Sequence, residues 1–140
     1  MKKYINFIAV VVILLSVSSC STNRFVKFQS ETQSTSSIKI KPSTRLNNVV
    51  VTLDGNLVWE KSRTIKSLTI QNVPAGNHEL QVTSASWIYK NDINHSASIN
   101  VKGQGETKTE LVSVPPYSTG YWVFNGIIYL AAFSTIFVVR

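Results

Sequence analysis

Cysteine is almost absent from this 140-residue chain, which has one, Cys20. No internal disulfide is possible, so the fold must hold by packing alone. Charge is sparse, at 15% of residues, and acid is scarce, with 7 Asp and Glu against 14 Lys and Arg. The positive charges are dispersed along the chain, and no block of like charge marks a nucleic-acid-binding arm. A weakly basic surface beside an anionic membrane or cell wall is the plainer reading, with most lysines on solvated strand faces. Between residues 38 and 114 no amphipathic helical period occurs, which argues against a helical domain there.

Catalytic signatures are missing as well. His78 and His95 are 17 residues apart with no cysteine or tight carboxylate cluster beside them, so both read as surface histidines rather than metal ligands. Glu106 and Glu110, four apart on a strand, would be separated by about 13 Å, beyond acid–base pairing. Gly103-Gln104-Gly105 precedes no helix and reads as a hairpin turn rather than a phosphate loop. No Gly-x-Ser-x-Gly elbow is present. These absences argue against an enzyme and against any metal or cofactor.

What is there begins with Lys2 and Lys3, an uncharged apolar stretch from Ile5 to Val17, and Val17-Ser18-Ser19-Cys20. That order is a secretory signal peptide over residues 1–19, with an apolar run too short for the roughly 20 residues a bilayer span needs. The last four residues resemble the lipobox of bacterial lipoproteins, in which cleavage leaves the cysteine as the lipidated first residue. The resemblance implies diacylglyceryl and N-acyl chains of the palmitate type on Cys20. It also implies residence in the cell envelope, facing the periplasm or exterior, on the inner or the outer membrane. Three such chains, at about 0.8 kcal/mol per buried CH₂, make a stable anchor. The remaining 121 residues suffice for one domain. Of the 14 basic residues they keep 12, having lost Lys2 and Lys3, against 7 acidic ones, a net charge of +5.

Residues 20–37 read as a lipidated cysteine followed by a flexible, Ser/Thr-rich tether, too poor in apolar residues to offset its ordering entropy. Phe25, Val26 and Phe28 are the exceptions, and they either rest on a membrane surface or share the disorder of the tether. From Ile38 the pattern changes to period two. Val49–Asp54 runs into the turn dipeptide Asp54-Gly55 and then Leu57-Val58-Trp59, a β-hairpin. Leu68–Ile70, the turn Val73-Pro74-Ala75-Gly76 and His78–Val82 follow. Ala97–Val101 and Thr107–Val114 read as a second hairpin about Lys102–Gly105. The expected fold over residues 38–116 is mainly β, a small antiparallel sandwich of six or seven strands. Its expected core is Ile38, Ile40, Val49, Val51, Leu53, Val58, Leu68, Ile70, Leu80, Val82, Ile99, Val101, Leu111 and Val114.

The strings Val51-Thr-Leu-Asp-Gly55, Leu68-Thr-Ile-Gln-Asn-Val-Pro-Ala-Gly-Asn-His-Glu-Leu-Gln-Val82 and Ile99-Asn-Val101 resemble PEGA-type domains. These are short prealbumin-like or carboxypeptidase-regulatory-like sandwiches of bacterial surface proteins. The likeness covers roughly Ile38 to Val114, although no Pro-Glu-Gly-Ala string occurs. It implies a non-catalytic envelope module that binds or scaffolds envelope proteins or cell-wall glycan. Trp59, Trp87 and Tyr89 are the candidate interaction surface, with Trp87 and Tyr89 on one strand face by period two. The competing reading is that Trp87 closes one end of the sandwich.

Residues 117–140 form a hydrophobic C-terminal segment, beginning after Pro115-Pro116, which end the last strand. Tyr121 to Val139 is an uncharged run of 19 residues. As a helix it spans about 28 Å, against a hydrocarbon core of about 30 Å. Ten of its residues are Val, Phe, Ile or Leu, contributing roughly −3 to −6 kcal/mol to insertion. In a transmembrane helix, Tyr121 and Trp122 would lie at one interface and Arg140 at the other. Such a helix would make the protein an accessory subunit of a membrane complex, or let it self-associate through residues 121–139. A helix packed on protein is the second reading of the segment. A hairpin about Asn125-Gly126 is the third.

Overall fold

The computed structural model describes residues 22–30, 34–103 and 105–137, with side chains as far as residue 131. Cys20, the signal segment and Arg140 lie outside the described residues. The chain divides into two compact units: Ser21–Ser86 with Asn91–Pro116, and Trp87–Lys90 with the segment from Tyr117 onward.

The first unit is mainly β, eight strands in two four-stranded sheets. Sheet A has the order β1-β5-β2-β8 and sheet B the order β4-β3-β6-β7. The strands are β1 Thr22–Lys27, β2 Ser37–Pro42, β3 Val49–Leu53, β4 Asn56–Lys61, β5 Ile65–Gln71, β6 Gly76–Ser84, β7 Ile93–Val101 and β8 Thr107–Val112. Ile38, Ile40, Leu68 and Ile70 of sheet A and Val51, Leu53, Leu80 and Val82 of sheet B are fully buried, and together form the core. Period-two alternation places them there, because every second side chain of a strand points inward.

Three core expectations are corrected, two of them by one residue. Val58 is only half-buried, while Trp59 is buried in its place. The cause is a bulge: Thr52 pairs with Leu57 but Val51 pairs with Trp59, skipping Val58. One extra residue moves every later side chain to the opposite face. In β8, Leu111 is exposed and Val112 is buried, and Val114 lies beyond the strand, half-buried.

The second expected hairpin does not form. β7 pairs with β6 in sheet B, whereas β8 crosses to sheet A and pairs in parallel with β2. Gly103 and Gly105, both at positive φ, carry the chain across, a conformation that glycine adopts without steric cost. Glu106 pins this crossover: its carboxylate accepts the Lys102 N–H at 2.8 Å and meets Lys108 Nζ at 3.0 Å. Those two donors, the backbone amide first, hold its pKa below the usual carboxylate value. A lowered folded pKa makes the ionised form the stabilising one. The stability margin of wild type over Glu106→Gln is therefore expected to be constant above the ordinary carboxylate range. It should close as pH falls through the lowered folded value, which urea titrations across acidic pH will read.

The tether expectation is also corrected. Thr22–Lys27 is not a free linker but edge strand β1, paired in parallel with β5. Beyond it, Phe28 N–H donates to Gln71 O, and Asn72 holds the following loop by accepting from Ser34 N–H and donating to Phe28 O. The apolar residues at 25, 26 and 28 supply what the Ser/Thr-rich neighbours lack. Val26 is half-buried and Phe25 faces outward, 66% exposed.

The pairings give the sandwich two distinct ends. At the proximal end β1 starts beside the start of β5, and Pro42 of β2 lies beside Val112 of β8. The start of β3, the end of β6 and the start of β7 share a row, Val49–Ser84–Ile93. At the distal end are the Asp54-Gly55 turn, the 72–75 loop and the 102–106 crossover.

Candidate functional site

Each histidine of the sandwich is tied to a carboxylate. His78, expected on the surface, is 7% exposed. Its Nδ1 lies 2.7 Å from Asp54 Oδ2 and its Nε2 lies 3.0 Å from Pro74 O. Asp54 Oδ1 accepts the Glu79 N–H at 2.9 Å. One imidazole thus joins the β3–β4 turn, the β5–β6 connection and the start of β6. His95 of β7 reaches across the sandwich edge to Glu110 of β8, Nε2 to Oε1 at 2.9 Å. Both arrangements link elements of the fold, and neither places a nucleophile against a base. No group of three or more potential metal ligands occurs among the described residues.

Of the three aromatics considered for an interaction surface, Trp59 is not at the surface. Trp59 sits in the sandwich core, 8% exposed, with the Lys61 ammonium 5.1 Å from its ring centroid. Trp87 and Tyr89 belong to the second unit. They lie on a turn rather than a strand: residues 87–88 form the turn and Tyr89 makes an isolated bridge to Tyr117.

That unit is built on helix α1, Thr119–Phe137. Ser118 caps it, its Oγ accepting the Tyr121 N–H at 3.1 Å, as a residue at the N-cap does for a first-turn amide otherwise without a partner. The same Oγ donates to Trp87 O at 2.7 Å, and Ser118 N–H donates to Ile88 O at 2.8 Å. The cap thereby fastens the 87–90 turn to the start of the helix. Asn125-Gly126 does not make the hairpin considered for it. Neither residue has positive φ, which a type I′ turn requires at both. Asn125 Nδ2 instead donates to Tyr121 O, one helical turn back, at 2.9 Å.

Aromatic rings converge on this cap. Tyr117 stacks on Tyr121 with centroids 4.5 Å apart and on Tyr89 at 6.2 Å. Trp122 meets Tyr117 and Tyr121 edge-on at 6.0 and 5.8 Å. Trp87 contacts Tyr121 and, in T-shaped geometry, Phe124 at 5.9 Å. Such pairs each contribute about 0.5–1.5 kcal/mol beyond area burial, so the cluster is ordered while remaining accessible. Trp87 is 62% and Trp122 63% exposed, while Tyr89 is buried. Sequence reading picked out Trp87, Tyr89, Tyr121 and Trp122 but missed Tyr117 and Phe124. The available signal is the helical spacing 117–121–124.

Beyond the cluster α1 is apolar all round: Val123, Ile127, Ile128, Tyr129 and Leu130 are all exposed. Even so, no helix among the described residues is long and apolar enough to cross a membrane. Compared with known proteins, the chain matches no protein-family model, no curated protein and no solved structure.

Proposed function

We propose that this protein is a non-catalytic lipoprotein of the bacterial cell envelope, anchored through acylated Cys20. Its PEGA-like sandwich is carried as a binding or scaffolding module for envelope proteins or cell-wall glycan. The observation that carries a binding role is the aromatic cluster, which belongs to the second unit and not to the sandwich itself. Trp87 is ordered by Tyr121 and Phe124 yet 62% exposed, the kind of rigid aromatic anchor around which interfaces concentrate their binding energy. A photo-crosslinking residue placed at Trp87 in living cells is expected to trap one reproducible envelope partner. One placed at Ser98, on the outer face of sheet B, should not. Equal or absent adducts at both positions would count against the reading.

A second reading is favoured by the exposure of apolar residues all round α1. A helix without a polar face is stable when surrounded by lipid or by protein. The helix would then embed in a bilayer or a membrane complex and act as the working part of an accessory subunit, with self-association through residues 121–139 as one form of it. Carbonate extraction of a Cys20→Ser variant tests this. The expected result under the lipid-anchor reading is release into the soluble fraction. Retention in the membrane, in protein whose size confirms signal cleavage, would make the helix a second anchor.

A further inference from the structure

The two broad faces of the sandwich differ in charge. Register fixes which residues share the outer face of sheet A. Lys27, Gln71, Ser37 and Thr107 form one row, and Phe25, Thr69, Lys39 and Thr109 the next. Lys41 and Leu111 pair in the row after that. The hydrogen bonds Ser37 Oγ···Thr107 Oγ1 and Ser67 Oγ→Asn23 Oδ1 lie on the same face. No Asp or Glu occupies any of these outward positions. Lys27, Lys39 and Lys41 are exposed, and none has an ion-pair partner among the described residues. Phe25 and Leu111 flank them, 66% and 67% exposed. The outer face of sheet B, by contrast, carries Glu60 and Glu79 among Thr, Ser, Asn and Gln side chains, with Val50 and the exposed Leu57 as its apolar members.

We propose that the outer face of sheet A lies on an anionic phospholipid surface, its three lysines against headgroup phosphates and Phe25 and Leu111 entering the interface. The proposal rests on the reading of Cys20 as the lipidated residue. β1 is an edge strand of this sheet and begins at Thr22, so an acyl chain on Cys20 holds the strand within about 7 Å of its attachment point. Tethering at that distance makes contact with the bilayer effectively intramolecular. Lysines near an anionic leaflet attract it, and exposed aromatic and aliphatic side chains partition into its boundary. An acidic protein could satisfy the lysines, but it would not explain why the lipidation point adjoins the edge of the same sheet.

The test uses the full lipidated protein with one introduced cysteine, Thr109→Cys on sheet A or Ser98→Cys on sheet B. Because the Cys20 sulfur is acylated, the new thiol alone takes a nitroxide label. The protein is reconstituted in phosphatidylcholine vesicles with or without phosphatidylglycerol, and contact is read by relaxation from a nickel chelate on the lipid headgroups. Strong relaxation is expected at 109 and weak relaxation at 98 when phosphatidylglycerol is present. Lys27→Gln, Lys39→Gln and Lys41→Gln together should lower the face-down equilibrium on the order of 100-fold, as should removing phosphatidylglycerol. Equal relaxation at both positions, or a 109 signal that ignores both changes, overturns the proposal. A face that shows no relaxation on vesicles while binding an acidic protein overturns it too. Intact mass tests the anchor separately: a mass without acyl chains refutes lipidation, whatever the labels report.

Discussion

His78→Ala is expected to destabilise the sandwich by about 2–3 kcal/mol, seen as a lower urea midpoint at unchanged slope. The variant removes one buried imidazole and leaves two oxygens that had faced it, Asp54 Oδ2 and Pro74 O. Breaking a fully buried pair costs about 3–5 kcal/mol. The Asp54 side chain is 37% exposed, and water recovers part of that cost. Asp54→Ala should lose a similar amount for an added reason: Asp54 sits at φ 53, a left-handed conformation that Ala tolerates poorly. Asp54→Asn keeps that tolerance and an acceptor for Glu79 N–H, so its cost should be clearly smaller. The decisive figure is the coupling in the Asp54→Ala/His78→Ala cycle, expected at about 1–2 kcal/mol. Strict additivity would mean that the Asp54–His78 contact itself contributes nothing to stability.

Trp59→Ala is expected to cost about 3–5 kcal/mol, while Trp59→Phe should stay within about 1 kcal/mol of wild type. The contrast follows from where the ring sits and what its nitrogen does. The indole is buried opposite Val51, and Nε1 has no hydrogen-bond partner. Truncation opens a cavity, whereas phenylalanine keeps most of the contact and removes an unsatisfied donor. The same pair of variants tests the expectation that Trp59 belongs to an interaction surface. If Trp59→Ala folds with wild-type stability but loses a partner, the ring was serving recognition and not the core.

Much of the fold was legible in alternation and turn chemistry. Asp54-Gly55 gave the first hairpin, and eleven of the fourteen expected core residues are buried. What failed was parity and partnership. Alternation cannot announce a bulge, because Leu57-Val58-Trp59 is apolar throughout and either phase buries something hydrophobic. Nor can it say whether a strand pairs with its neighbour in sequence: Ala97–Val101 and Thr107–Val112 look like a hairpin until β8 joins the other sheet. β1 is not legible in its segment's average composition, yet three apolar residues suffice for an edge strand on a parallel neighbour. The aromatic site was half legible. Trp87, Tyr89, Tyr121 and Trp122 stand out as types, but the cap at Ser118 that gathers them depends on a turn 30 residues earlier.

The direction of the outermost strands of sheet A has a mechanical consequence. β1 and β8 each run parallel to the inner strand beside them, and their outer termini, Thr22 and Val112, emerge at one end. Tension on either terminus, directed away from that end, acts along the strand axis. It therefore pulls on the whole row of interstrand hydrogen bonds at once, in shear, instead of peeling them apart singly. A pull between Thr22 and anything gripping the far end of the sandwich would meet the stiffer of the two ways a sheet can fail.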